Sequence, residues 1–144
     1  MSTRSAIIEK TETGYRGIYC HNDGYLSYNG RILFDHYQDA AKVSALIDLG
    51  DISSLGERVA PIGEHSFDYS KREEGTTVSY SRDRGEEGTE AVSGATVEDV
   101  ASNIGHDGYV YVFDPASGWT VRLDYPYSRV MSLLEALTTN ADED

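Results

Sequence analysis

Apolar residues fall along this chain in short alternating runs, separated by glycine-bearing turns and interrupted by a few windows of helical spacing. Arg4–Lys10 has an apolar centre at Ala6, Ile7 and Ile8. Tyr15–His21 alternates in part, with Tyr15, Gly17 and Tyr19 on one side and Arg16, Ile18 and Cys20 on the other. The turn-like Thr11-Glu12-Thr13-Gly14 between them predicts a β-hairpin. Asn22-Asp23-Gly24 is a strong turn signal, because these residues tolerate positive φ. Gly30–Tyr37 reads as a short helix with Ile32, Leu33 and Tyr37 on one face. A second helix follows, with Asp39 as N-cap, Val43, Leu46 and Ile47 at helical spacing, and Gly50 at C′.

Asp51–Gly56 reads as a tight turn or short 3₁₀ segment. Residues 57–75 carry no clear period, and Val59, Ile62 and Phe67 are their candidate anchors. Thr76–Ser81 alternates like a strand, and Arg82–Gly94 reads as an exposed loop or irregular hairpin. Thr96-Val97-Glu98-Asp99 resembles a capping box with Asp in place of Glu, opening a helix that ends near Gly105. Tyr109–Phe113 and Trp119–Leu123 flank a five-residue turn as the clearest hairpin. Ser128–Thr138 reads as the clearest helix: Val130, Met131, Leu134 and Leu137 share a stripe, with Leu133 beside it. The order of elements predicts one α+β domain over residues 1–138, with a mainly antiparallel sheet, and a frayed acidic tail over 139–144.

Composition supports a folded chain. At 144 residues it can bury about 68–70% of its unfolded surface. Its 11 Tyr, 3 Phe and 1 Trp set it apart from disordered acidic chains, which are poor in aromatics. Cys20 is the single cysteine, so no intramolecular disulfide forms, which fits a reducing compartment. No signal-peptide core and no membrane-length apolar run stand in the sequence, so a soluble intracellular protein is expected.

Charge changes the functional picture most. The net charge is −13, and residues 64–114 carry −8 of it, against −2 for 1–63 and −3 for 115–144. Such a field repels nucleic-acid phosphates and anionic membranes and attracts basic surfaces. Direct nucleic-acid and membrane binding are therefore not expected, and a protein with a basic surface is the expected partner.

Residues 18–57 include Ile18-Tyr19-Cys20-His21-Asn22-Asp23-Gly24-Tyr25 and Leu49-Gly50-Asp51-Ile52-Ser53-Ser54-Leu55-Gly56-Glu57, joined through His36-Tyr37, Lys42-Val43 and Leu46-Ile47. This block resembles a family of small, mostly uncharacterised proteins encoded by bacteriophages and prophages. Tyr80–Glu86 and Tyr109–Asp114 leading to Trp119 fit the same family. Asn22 departs from it, where the family version would carry Trp. The resemblance implies a phage protein working in the cytoplasm of a bacterial host. By analogy of class and charge, it implies a counter-defence factor that presents carboxylates where a host nuclease expects phosphates.

Candidate chemistry is sparse. His21, Asp23, Asp35 and His36 combine imidazole and carboxylate but match no ligand spacing, so neither a metal nor another cofactor is expected. Cys20 and His21 are strand neighbours that face opposite sides, which argues against a thiol–imidazole pair. Ser53 and Ser54 stand in no nucleophile elbow. Arg82 and Arg84 have the geometry to grip an anion, but Asp83, Glu86 and Glu87 neutralise them in the simpler reading. Tyr15, Tyr19, Tyr25, Tyr28 and Tyr37 cluster in sequence; any of them exposed together would mark a partner or homodimer surface.

The sequence thus favours a non-enzymatic binding protein. Glu73, Glu74, Asp83, Glu86, Glu87 and Glu90 are its candidate contacts with a basic host surface, in an anti-CRISPR or anti-restriction mode based on phosphate mimicry. The alternative is a small-molecule or nucleotide site near His21, Asp23, Arg82 and Arg84, either sequestering or enzymatic.

Overall fold

The N-terminal hairpin forms as its alternation predicts. In the computed structural model, which describes residues 3–105, 108–123 and 129–141, β1 (Ser5–Lys10) pairs antiparallel with β2 (Tyr15–Cys20). The second predicted hairpin also forms, from β6 (Tyr109–Asp114) and β7 (Gly118–Leu123). The two hairpins join through a parallel pairing of β1 with β6, from Ser5 against Tyr109 to Glu9 against Phe113. This central pair is apolar on both faces, as strands covered on both sides must be.

Helices cover the two faces unequally. On one face a π-helical turn (Leu26–Gly30) runs into α1 (Arg31–His36), followed by α2 (Ala40–Asp48). Leu26, Leu33, Tyr37, Val43, Leu46 and Ile47 pack there on Ile7, Ile18, Tyr111, Phe113 and Trp119. Asp39 caps α2 by accepting from the Ala41 amide, as its position predicts. The aromatic polar tips in this core are all partnered: Tyr37 donates to the Gly56 carbonyl at 2.8 Å, Tyr111 to the Gly24 carbonyl at 2.6 Å, and the Trp119 indole to the Tyr37 carbonyl at 2.8 Å. On the other face α4 (Val97–Ile104) lays Val97, Val100 and Ala101 on Ala6, Ile8, Val110 and Val112. Thr96 caps it by accepting from the Asp99 amide, and Gly105 ends it at φ 83°. Gly17 makes that approach possible, since a Cβ there would lie 2.6 Å from Ile8 Cγ1 and 3.1 Å from Val100 Cγ1.

Four expectations need correction. Asp51–Gly56 is not simply a turn. Ile52–Ser54 forms β3, drawn into the sheet by pairing with Cys20 and by full burial of Ile52. The predicted strand Thr76–Ser81 shrinks to β4 (Val78–Ser79), because the Ser79 hydroxyl accepts from the Arg82 amide and starts α3 (Tyr80–Arg84). Within Arg82–Gly94, Val92–Gly94 forms β5 against Tyr15–Gly17, sharing the outer edge of β2 with β3.

The largest correction is at the C-terminus. Ser128 lies outside the described residues, and Arg129–Ser132 is β8, antiparallel to β7. The helix α5 starts at Leu133 and runs to Thr139. Ser132-Leu133-Leu134-Glu135 is a capping box, and the Ser132 hydroxyl accepts from the Glu135 amide at 3.1 Å. The shorter helix turns a different face inward. Leu133, Ala136 and Leu137 are buried, while Val130 is 55% and Leu134 58% exposed. Thr139 is helical, and the Ala141 amide bonds the Ala136 carbonyl, so the tail is ordered to Ala141; 142–144 lie outside the described residues. The full sheet order is β4-β3-β2-β1-β6-β7-β8, with β5 beside β2, an eight-stranded, mostly antiparallel mixed sheet in an α+β fold.

Truncating Leu133 to Ala should cost about 2–5 kcal/mol, as for other buried leucines. Truncating exposed Leu134 should stay within about 0.5 kcal/mol of wild type. Denaturant melts of the two variants check this, and equal losses would contradict the assigned helix phase.

Candidate functional site

The segment 57–76 has few apolar side chains to bury and so is held by polar ties. Its two ends meet in a bridge: the Arg58 amide donates to the Gly75 carbonyl and the Thr77 amide to the Arg58 carbonyl. Gly56 allows this closure, since a Cβ there would sit 2.5 Å from the Gly75 oxygen. The Arg58 guanidinium spans the gap to the Glu74 carbonyl at 2.6 Å and reaches Glu57 and Glu73.

Two carboxylates fix the rest. Glu73 accepts from Thr76 Oγ1 at 2.5 Å and from the amides of Ile62 at 2.9 Å and Gly63 at 2.6 Å. These bonds, the Thr76 hydroxyl first, hold its carboxyl at about 2. Asp83, whose side chain is only 6% exposed, accepts from Arg82, from the Ser79 amide at 2.8 Å and from His65 Nε2 at 3.0 Å. Burial alone would push the Asp83 carboxyl up, but these donors outweigh it and hold it at about 2. The Glu73 amide donates to His65 Nδ1 at 3.0 Å, so both ring nitrogens are engaged and the imidazole is not placed to act as a general base. Arg82 also donates to the carbonyls of Val59 and Thr77, each at 2.6 Å.

Between this segment and the π-turn lies an open cleft of about 1090 Å³. Tyr28, Ile32 and His36 form one wall, Ser54–Glu57 the floor, and Tyr69 with Arg72–Thr76 the other wall. Among the described residues, Asp23, Glu57, Glu73 and Glu74 bring carboxylates to it against the single guanidinium of Arg72. Arg72 is already engaged, donating to the Phe67 carbonyl and stacking over Phe67 at 5.1 Å and Tyr69 at 5.5 Å. Two aromatic rings stand open on the cleft: Tyr28 is 42% exposed and Tyr69 86%. Tyr25 packs edge-on against Tyr28 at 6.3 Å between centroids. Partial burial raises the Tyr28 hydroxyl above its ordinary value, with the Asp23 charge adding to the effect.

The structure distributes the residues singled out from sequence. Glu73 and Glu74 line the cleft, Glu73 with its carboxylate turned into the loop. Asp83 is turned inward, and Glu86 is paired with Arg84. Glu87 is exposed, and Glu90 lines a separate cavity. Arg84 also stacks on Phe67 and Tyr80, so both arginines of the 82–86 stretch are spent on the fold. His21 bonds the Tyr19 hydroxyl at 2.6 Å, Asp35 pairs with Arg31, and His36 faces Glu57 at 3.5 Å. Among the described residues no group of three or more His, Cys, Asp or Glu is placed to hold a metal ion. Cys20 is buried against Asn29 and the Asn22 carbonyl, and burial pushes its thiol up to about 11. Of the five clustered tyrosines, Tyr37 is core, Tyr15 and Tyr19 are half-buried, and Tyr25 and Tyr28 are exposed together. Sequence reasoning missed Glu57 and Tyr69 as cleft residues, since the aperiodic 57–75 stretch gave no way to place them; Asp23, one of its candidates, lines the cleft without His21, Arg82 or Arg84.

No protein-family model, curated protein or solved structure matches this chain. No helix among the described residues is long and apolar enough to cross a membrane.

Because Glu73 and Asp83 are depressed when folded, their stabilisation is complete above about pH 5 and is lost progressively as pH falls through about 2. Protection factors at Ile62 and Gly63, with exchange rates corrected for their intrinsic pH dependence, should therefore fall as pH drops across that window. In Glu73→Gln, an amide NH₂ meets backbone N–H groups, so exchange there should already be fast at pH 7, while Leu46 and Ile47 stay protected. Unchanged protection of Ile62 in the variant would contradict the assigned role of Glu73.

Proposed function

We propose that this chain is a non-enzymatic binding protein whose cleft receives a cationic side chain from the basic surface of a partner protein. The observation that carries this reading is the make-up of the cleft: Asp23, Glu57 and Glu74 face it beside the open rings of Tyr28 and Tyr69, and its one guanidinium is already stacked. A Lys or Arg entering there gains carboxylates and an aromatic face together, in a concavity where water is partly displaced. The net charge of −13 steers a basic partner toward the molecule.

A surface built to hold phosphates suits such a cleft best. The partner class is therefore a nucleic-acid-binding protein of a bacterial host, and the role is that of a phage-encoded inhibitor, of anti-CRISPR or anti-restriction type, in the host cytoplasm. Carboxylates take the place of phosphates and the mechanism is competition. Tyr25 and Tyr28 extend the contact surface beside the cleft. The alternative site at His21, Asp23, Arg82 and Arg84 has less support, since both arginines are committed to internal partners and His21 to Tyr19.

The test is binding of an arginine-rich peptide by the full chain at several salt concentrations. Reversing exposed Glu57 and Glu74 to Lys should weaken binding about tenfold or more and flatten its salt dependence. Tyr69→Ala should remove about 0.5–1 kcal/mol. Unchanged affinity in the double reversal, with an unchanged melting temperature, would reject the cleft as the binding site.

A further inference from the structure

A second cavity, of about 460 Å³, lies at the C-terminal end of α4 and is lined by Arg4, Tyr19, Asp51, Gly88, Glu90 and Asn103 among others. Its volume is within the range of small-ligand sites. Its walls are fixed by the backbone. The Asp51 amide donates to the Thr89 carbonyl at 2.7 Å, and Asp51 Oδ1 accepts from the Tyr19 amide at 3.0 Å. Gly50 holds φ at +77°, and a Cβ there would lie 2.3 Å from the Thr89 oxygen, so the 88–90 loop closes directly on the start of β3. His21 ties down the Tyr19 hydroxyl.

The charges in this cavity are opposite but unpaired. Asp51 and Glu90 supply carboxylates, and the last turn of α4 adds carbonyl groups with partial negative charge. Arg4 is the one cation among the described residues of the lining, yet it forms no ion pair with either carboxylate or with any other described residue. Opposite charges that share a cavity without meeting leave a gap that a ligand bearing both signs would span.

We propose that this cavity binds a small zwitterion, with its ammonium group between Asp51 and Glu90 and its carboxylate on Arg4. Burial raises the Asp51 carboxyl above its ordinary value and the charge of Glu90 raises it further, so a bound ammonium would offset a repulsion built into the site. The site is independent of the cleft and shares no lining residue with it.

The test is a titration of the full ¹⁵N-labelled chain with ω-amino acids from glycine to 6-aminohexanoate, each beside the alkylamine and the carboxylate of matching length. At least one zwitterion should give saturable shifts at the amides of Tyr19, Gly88 and Asn103. It should bind at least about tenfold more tightly than either single-charge analogue, about 1.4 kcal/mol. Arg4→Gln should reduce its affinity to that of the amine, and Glu90→Gln should weaken it as well; both side chains are exposed, so the fold survives. The proposal is overturned if no zwitterion saturates, if the amine binds equally well, or if neither substitution changes affinity.

Discussion

The arrangement of the cleft depends on two carboxylates that face inward. Glu73 closes the 57–76 segment on itself through Thr76, Ile62 and Gly63, and Asp83 fastens that segment to α3 through His65. Hydrophobic burial offers little substitute, since Ile62 is exposed and Phe67 lies half-buried against Tyr80, Arg72 and Arg84. A carboxylate drawn partly out of solvent is tolerable when several donors converge on it, and here each receives at least three. The segment can then stand away from the core as a wall, and the wall makes the cleft.

This internal use also sorts the acidic charge. In a chain of −13, carboxylates with many donors are structural, and those with few are left to act at a distance. Glu73 and Asp83 are of the first kind. Glu74, Glu87 and Glu90 are exposed, and Asp23 and Glu57 reach the cleft with weaker ties. The self-repulsion of the second group disfavours the compact state, and a basic partner would relieve it.

Much of the fold was legible in the residues. Both hairpins, the Asp39 and Thr96 caps and the glycines that end α2 and α4 act locally, and local signals survive folding. The failures have a common cause. Ile52–Ser54 and Val92–Gly94 are strands because β2 offers them an edge, which no window of sequence records. The C-terminal stripe of Val130, Met131 and Leu134 fits a helix as a pattern, yet Ser132 caps the chain about one turn into it and leaves Arg129–Ser132 to the sheet. The cleft was the least legible part. It joins Asp23 and Tyr28 to Glu57, Tyr69 and Glu74, residues far apart in sequence and set together by side-chain ties rather than by periodicity. Arg82 and Arg84 misled in the opposite way: their pairing with neighbouring acids was legible, but not their anchoring to Val59, Thr77 and Phe67.

The most direct measurement is a map of where an arginine-rich peptide touches the chain, from backbone amide shifts at increasing peptide concentration. The account predicts that the largest saturable shifts cluster at Asp23, Tyr28, Glu57, Tyr69 and Glu74. Shifts spread evenly over the acidic surface, or concentrated on α4 and the C-terminal residues with none at Tyr28 and Tyr69, would contradict it.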